Sequence, residues 1–191
     1  KKRVGMKKNK DREVHIDETT YLPETIESQG FVYEDRFKKI EKITAKFDGF
    51  TKEYFVSDFG EKAAVLVVRN NRVLLARQYR LLINCLSYEV PGGKVEETER
   101  PEEAAMRECL EETGVRCKNL KSLIDYELDL EYTKNRTHVF YAHETENDQA
   151  QSSSRHEWLP LDDCLKMIEQ GIIRDSLSII SILLFCVKIN R

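Results

Sequence analysis

The chain has no C-x-x-C pair and no even complement of cysteines: Cys85, Cys109, Cys117, Cys164 and Cys186 are scattered. That argues against a disulfide framework and a zinc knuckle, and makes a reducing cytoplasm the expected compartment. An excess of charge of either sign is also missing. Thirty-one basic against 34 acidic residues leave a net charge of -3, which gives nucleic acid no electrostatic footing. No apolar run is long enough for a bilayer. The most apolar stretch, "SLSIISILLFCVKI" at 176–189, is interrupted by Ser178 and Ser181 and falls short of the ~20 residues of a span, so a buried C-terminal helix is expected. "KKRVGMKKNK" is basic but runs into "DREVHIDETT" rather than an apolar core, so it does not read as a secretory signal.

What is present suits a folded domain: 191 residues, 40% hydrophobic and 34% charged. Residues 1–29 are polar and without periodicity, and read as an arm. Residues 30–60 hold two alternating runs around Asp48-Gly49, the pattern of an antiparallel hairpin. Residues 61–191 form the main domain. "KAAVLVVRNNRVLLARQYR" reads as two strands about an Asn70-Asn71 turn, and "LSYEVPGG" as a further short strand. "PEEAAMRECLEETG" reads as a helix, with Pro101 at its first turn and Gly114 at its stop. Two more strands fall within 119–143, then the polar stretch "ETENDQAQSSS", a short strand at "EWLPL" and two terminal helices, the second capped by Asp175 or Ser176. This order predicts a mixed α/β domain with a largely antiparallel or mixed sheet, and not a doubly wound βαβ fold.

The chemistry concentrates in 92–115. At 100° per residue, Ala105, Met106, Cys109 and Leu110 fall within about 140° of one another, whereas Glu108, Glu111 and Glu112 cluster on the other side. Three carboxylates at i, i+3 and i+4 repel, and a cation relieves them. Arg107 supplies part of that charge by bracing Glu111 or Glu99. Clustered hard oxygens match Mg²⁺ or Mn²⁺ better. Gly92-Gly93 is expected to turn tightly and bring a backbone carbonyl to the site.

These residues resemble the signature of the Nudix hydrolases, G-x5-E-x7-R-E-U-x-E-E-x-G-U with U a bulky apolar residue. Gly93, Glu99, Arg107, Glu108, Glu111, Glu112 and Gly114 occupy its fixed positions, with Cys109 and Val115 at the U positions. The resemblance implies an α/β/α sandwich around a mixed sheet with an N-terminal hairpin extension, and hydrolysis of a nucleoside diphosphate linked to another moiety. It implies Glu108, Glu111 and Glu112 as metal ligands together with the Gly92 carbonyl, Glu108, Glu111 and Arg107 among the catalytic residues, and Gly93, Glu99 and Gly114 as the motif's structural residues.

"LLARQYR" followed by "YEVPGG" is similar to the ADP-ribose and nucleoside-diphosphate-sugar pyrophosphatase branch, and implies Arg80 and Glu89 as substrate-binding residues. In that branch the N-terminal hairpin often exchanges between protomers, so 30–60 is the expected dimerisation element, with Phe31, Tyr33 and Phe37 either stacking on a base or packing in a core. Two features differ from the branch: "LDLEYTKN" lacks its downstream proline, and "QAQSSSRH" lacks its acid. Glu144, Glu146 and Asp148 are the nearest acids, and Glu146 is the candidate base. The expected activity is Mg²⁺-dependent cleavage of ADP-ribose or a related nucleoside diphosphate sugar into a nucleoside monophosphate and a sugar phosphate. A nucleoside triphosphate pyrophosphohydrolase and a non-catalytic nucleotide-sugar sensor stand as alternatives. His15, His138, His143 and His156 carry no motif.

Overall fold

The computed structural model describes residues 22–36, 38–146 and 153–188. The chain divides into two compact units, Lys1–Asp58 and Phe59–Arg191. Within the first, β1 (Thr25–Glu34), β2 (Lys39–Phe47) and β3 (Phe50–Asp58) pair antiparallel in that order. The turn between β2 and β3 is the expected Asp48-Gly49, with Gly49 at φ 83. The hairpin is thus extended by a third strand, and residues 25–29, expected as arm, are its beginning. β1 is exposed along its whole length, so backbone pairing with β2 defines it and no hydrophobic alternation announces it.

The second unit runs β4 (Lys62–Arg69), β5 (Arg72–Arg80), a single 3-10 turn (Leu81–Ile83), β6 (Cys85–Glu89), β7 (Gly92–Lys94) and α1 (Pro101–Thr113). There follow β8 (Cys117–Lys118), β9 (Lys121–Glu127), β10 (Thr133–Lys134), β11 (Arg136–Ala142), β12 (Glu144–Thr145), β13 (His156–Pro160), α2 (Leu161–Glu169) and α3 (Ser176–Lys188). The main sheet has the order β13-β5-β4-β11-β9. Only β4 and β11 lie parallel among these pairs, so the sheet is mixed, as expected.

β4 forms the centre because "AAVLVV" is apolar on both faces. Ala64, Leu66 and Val68 face a cluster with Leu161, Ile173, Ile182 and Phe185 from the α2–α3 side. Ala63, Val65 and Val67 face Ala104, Ala105 and Cys109 of α1 on the other. Complete burial of a Val or Leu side chain contributes roughly 1.5–3 kcal/mol, and this strand collects it on both sides. The result is an α/β/α sandwich.

A divergence between β4 and β5 creates the site. They leave the Asn70-Asn71 turn, both residues at positive φ, and stay paired only at Val68↔Val73 and Arg69↔Arg72. Beyond that, β5 pairs with β6, and the early part of β4 pairs with β7. The segment joining β6 to β7, Glu89 to Gly92, therefore crosses the opening. Pro91 O accepts the Val65 N–H there at 3.1 Å. Among the described residues no helix is long and apolar enough to cross a membrane.

Candidate active site

α1 is fixed at both ends. Pro101 opens it, Glu103 accepts the Arg100 N–H at 3.0 Å, and Gly114, at φ 77, closes it by donating to Leu110 O at 2.8 Å. Its buried residues are Ala104, Ala105, Cys109 and Thr113. This arc shifts the expected division of the helix. Glu112 and Glu108 stand about 20° and 60° from Ala105 and belong to the inward side. Glu108 keeps only 16% of its side chain exposed and Glu111 keeps 57%, so Glu111 alone points outward. Small Ala and Cys side chains let the helix lie close to the sheet, and the longer glutamates reach along it.

Gly92 and Gly93 are not the tight turn expected of them. They form the start of β7, paired with Ala64 and Ala63, and neither has a positive φ. Their requirement is proximity. A Cβ on Gly93 would stand 2.7 Å from Glu108 Oε2, and one on Gly92 would stand 2.7 Å from Ala63 O.

Arg107 connects the parts. Its Nε and Nη2 donate to the two oxygens of Glu99 at 2.9 and 3.0 Å, Nη1 to Glu108 at 2.7 Å and Glu111 at 3.3 Å, and Nη2 also to Lys94 O at 2.9 Å. The fork holds the Glu99 carboxyl below the usual carboxylate range. Glu112 accepts from Gln78 Nε2 and, at 3.1 Å, from the Gly92 N–H. Burial, then the Glu108 and Glu89 carboxylates, push the Glu112 carboxyl up against those two donors. At the rim, Arg80 forms a two-pronged pair with Glu89, Nε to Oε1 at 2.7 Å and Nη2 to Oε2. Glu89 is buried and the Arg80 side chain is 50% exposed, so the guanidinium retains an open side.

The NUDIX domain family model matches residues 59–176. The chain belongs to the Nudix hydrolase family. The CMP-5'-(N-acetyl-N-hydroxy-3-aminopropyl)phosphonate hydrolase of Streptomyces rubellomurinus (strain ATCC 31215) is 28% identical over 151 residues, 73% of this chain and 71% of its own. The ADP-ribose pyrophosphatase of Bacillus subtilis (strain 168) is 27% identical over 132 residues, 66% of this chain and 71% of its own. The diphosphoinositol polyphosphate phosphohydrolase 3-alpha of Mus musculus is 33% identical over 127 residues, 62% and 75% of the two chains. A crystal structure of an ADP compounds hydrolase has the same fold, with a TM-score of 0.70 over 87% of this chain and 92% of its own at 18% identity.

Whether this Nudix hydrolase can hold a divalent ion is a question of donor chemistry. Glu108, Glu111, Glu112 and Glu89 supply only hard oxygens, and burial together with neighbouring carboxylates opposes the charge of Glu112; that donor set fits Mg²⁺ or Mn²⁺. Among the described residues no group of three acidic, His or Cys side chains stands ready as a cage. Arg107 engages Glu108 and Glu111, and Gln78 with the Gly92 N–H engages Glu112. Gly92 is engaged through its N–H, which donates to Glu112.

The other expected residues are placed as follows. Glu144 and Thr145 pair with Lys118 and Cys117, so the polar stretch begins as a short ribbon. Glu144 accepts from Asn119 at 2.7 Å, and Glu146 lies 3.9 Å from Arg116. Asp148, Phe37 and His15 lie outside the described residues. Phe31 and Tyr33 are exposed on β1. His138 bridges Asp125 and Glu61 at 3.1 and 3.2 Å, His143 contacts Val68 O at 3.0 Å, and His156 contacts Ser153 at 2.9 Å. Cys109 of α1 and Cys117 of β8 are both buried, and the Cys117 side chain together with burial pushes the Cys109 thiol up.

Sequence reading missed Gln78, whose signal was available: it lies two residues before Arg80 and so faces the same side of β5. It also missed the cleft of about 120 Å³ beside Arg80, Glu89 and Gly92, which Lys62, Tyr126 and Asp175 complete. Those three come from separate elements and share no spacing. Gly93→Ala tests the close approach at β7: the added methyl displaces the Glu108 carboxylate, with an expected loss of ~1–3 kcal/mol in denaturant unfolding and a kcat lowered by about tenfold.

Proposed function

We propose that this Nudix hydrolase cleaves the diphosphate linkage of ADP-ribose or a related nucleoside diphosphate sugar, with Mg²⁺ or Mn²⁺, to a nucleoside monophosphate and a sugar phosphate. The observation that carries this reading is the adjacency of two opposite charge systems. Arg80, half exposed, and Lys62 line a cleft that also contains Glu89 and Gly92, and the Gly92 N–H donates a hydrogen bond to Glu112. A diphosphate needs both: a planar cation for its oxygens and a carboxylate cluster for the ion that accompanies it. The names of the curated relatives support a phosphorus-containing substrate, and one of them is an ADP-ribose pyrophosphatase.

In this reading Glu108, Glu111, Glu112 and the Gly92 carbonyl would hold the ion. Bound there, it supplies charge neutralisation and a more acidic water. Arg80 takes phosphate oxygens on its open side while Glu89 fixes its plane. Arg107 keeps α1 and the 94–99 segment in register through Glu99 and Lys94 O. Water oxygen forms a bond to one phosphorus, the bridging P–O bond breaks, and its electron pair leaves on the departing phosphate. Glu146 takes the proton released by the water. The reading extends to a cytoplasmic homodimer formed through residues 30–60, on which Phe31 and Tyr33 are exposed.

A panel of nucleoside diphosphate sugars and nucleoside triphosphates, with each cation and with products identified, tests the proposal. ADP-ribose or a congener is expected to give the monophosphate and the sugar phosphate only with a divalent ion. Pyrophosphate from triphosphates alone replaces this reading with the triphosphate one, and tight binding without turnover replaces it with a sensor. Glu146→Gln is expected to lower kcat by roughly 10²–10⁴ with KM little changed, and wild-type kcat removes the base from Glu146.

A further inference from the structure

The segment that carries Glu89 toward Gly92 is held from both faces of the sheet. On the α1 side, Gly92 N–H donates to Glu112. On the opposite side, the Val90 N–H donates to Ser178 Oγ at 2.8 Å, and that hydroxyl donates to Asp175 Oδ2 at 2.7 Å. The same Asp175 oxygen accepts the Ser178 N–H at 2.8 Å and caps α3. Ser178 is fully buried in a largely apolar helix, which demands a partner for its hydroxyl.

An N-cap alone does not require it. Asp175 satisfies the Ser178 backbone without help from the side chain. The hydroxyl instead gives a partner to Val90, the residue after Glu89, where β6 has ended and no strand partner for that N–H remains. Asp175 in turn lines the cleft with Arg80, Glu89 and Tyr126, and its charge acts on both Arg80 and Tyr126.

We infer that Asp175 and Ser178 are positioning residues, which through the Val90 N–H set the placement of Glu89 and hence of the Arg80 guanidinium over the cleft. The inference rests on the reading of Arg80 as the group that receives the diphosphate. Loss of the Ser178 hydroxyl leaves the buried Val90 N–H unpaired and releases the Asp175 carboxylate to compete with Glu89 for Arg80. Substrate affinity suffers more than the chemical step, because the Ser178 hydroxyl bonds the Val90 N–H beside Glu89, whereas Glu108, Glu111 and Glu112 are carried by α1.

The test uses the full chain and its Ser178→Ala, Ser178→Cys and Ser178→Thr variants. Nitrogen-15 NMR follows the Arg80 Nε–H resonance and the exchange of the Val90 amide, and steady-state kinetics follow the diphosphate substrate found by the panel. Ser178→Ala is expected to speed Val90 exchange, to shift the Arg80 Nε–H signal, and to raise KM about tenfold with kcat within about twofold. Ser178→Thr, which keeps the hydroxyl, restores both. Ser178→Cys keeps the volume and weakens the bonds, so it moves both readouts the same way by less, and it decides the matter if the alanine variant does not fold. An unmoved Arg80 signal with a lowered Tm alone overturns the inference. If no diphosphate is turned over, the reading of the site fails by itself, and the Arg80 and Val90 signals still decide the positioning role.

Discussion

Glu112→Gln is expected to lower kcat by about a thousandfold or more while the metal-free protein melts within a few degrees of wild type. The two halves of this outcome have different causes. Glu112 is half-buried beside Glu108 and Glu89, and both its burial and those carboxylates oppose its charge. Glutamine removes that opposition. It retains a carbonyl oxygen for the Gly92 N–H, and Gln78 can offer its own carbonyl to the new amide after a flip. The fold therefore loses little. The donor set loses a full negative charge and one hard anionic oxygen, which a neutral amide replaces poorly for a small divalent ion. Calorimetric melting with and without Mg²⁺ reads this without turnover: wild type is expected to gain stability with the ion by mass action, and the variant to gain less. Equal gains together with wild-type kcat would remove Glu112 from the ligand set.

The fixed positions of the signature were legible because each answers a local demand. Gly114 is needed at φ 77, and Arg107 where it reaches Glu99, Glu108 and Glu111; outside the signature, Pro101 was legible at the first turn of α1. The unbroken apolar run of β4 likewise marked a strand, and it is buried on both faces. The reason for the glycine pair was not legible. A tight turn and a close approach both call for glycine, and only the pairing of β7 with β4 distinguishes them. The helical wheel placed the carboxylates away from the packing face, but the arc of burial depends on which way the sheet lies under α1, and composition does not report that. β1 escaped because an exposed strand has no period to read. Asp175 and Ser178 were read as helix cap and apolar-helix interruption. Their link to Val90 spans 88 positions in sequence and exists only once α3 has packed on the sheet.

Removal of Arg107 is the second large effect expected. Arg107→Ala deletes donors to Glu99, Glu108, Glu111 and Lys94 O. Glu111 is 57% exposed and loses little. Glu99 and Glu108, at 15% and 16%, are left as poorly hydrated carboxylates without a counter-charge. Breaking such a pair costs about 2–4 kcal/mol, below the value for complete burial because the Arg107 side chain is itself 31% exposed. For a chain of this size that is a fall of roughly 5–15 °C in Tm, with kcat/KM reduced about a hundredfold as the 94–99 segment leaves α1. The pH dependence has a definite sign. Arg107 holds the Glu99 carboxyl below its unfolded value, so its stabilisation is complete above the usual carboxylate range and is lost as pH falls through the lowered value. The gap between wild type and Arg107→Ala is therefore expected to be widest near neutral pH and to narrow below about pH 4. Arg107→Lys keeps the charge and loses the fork, and should fall between them. Mg²⁺ is expected to restore part of the Arg107→Ala stability, since it returns positive charge to Glu108 and Glu111, whereas in Glu112→Gln the ion finds its own ligand missing. A larger stabilisation by Mg²⁺ than in wild type for Arg107→Ala and a smaller one for Glu112→Gln separate the residue that braces the cluster from the residue that belongs to it.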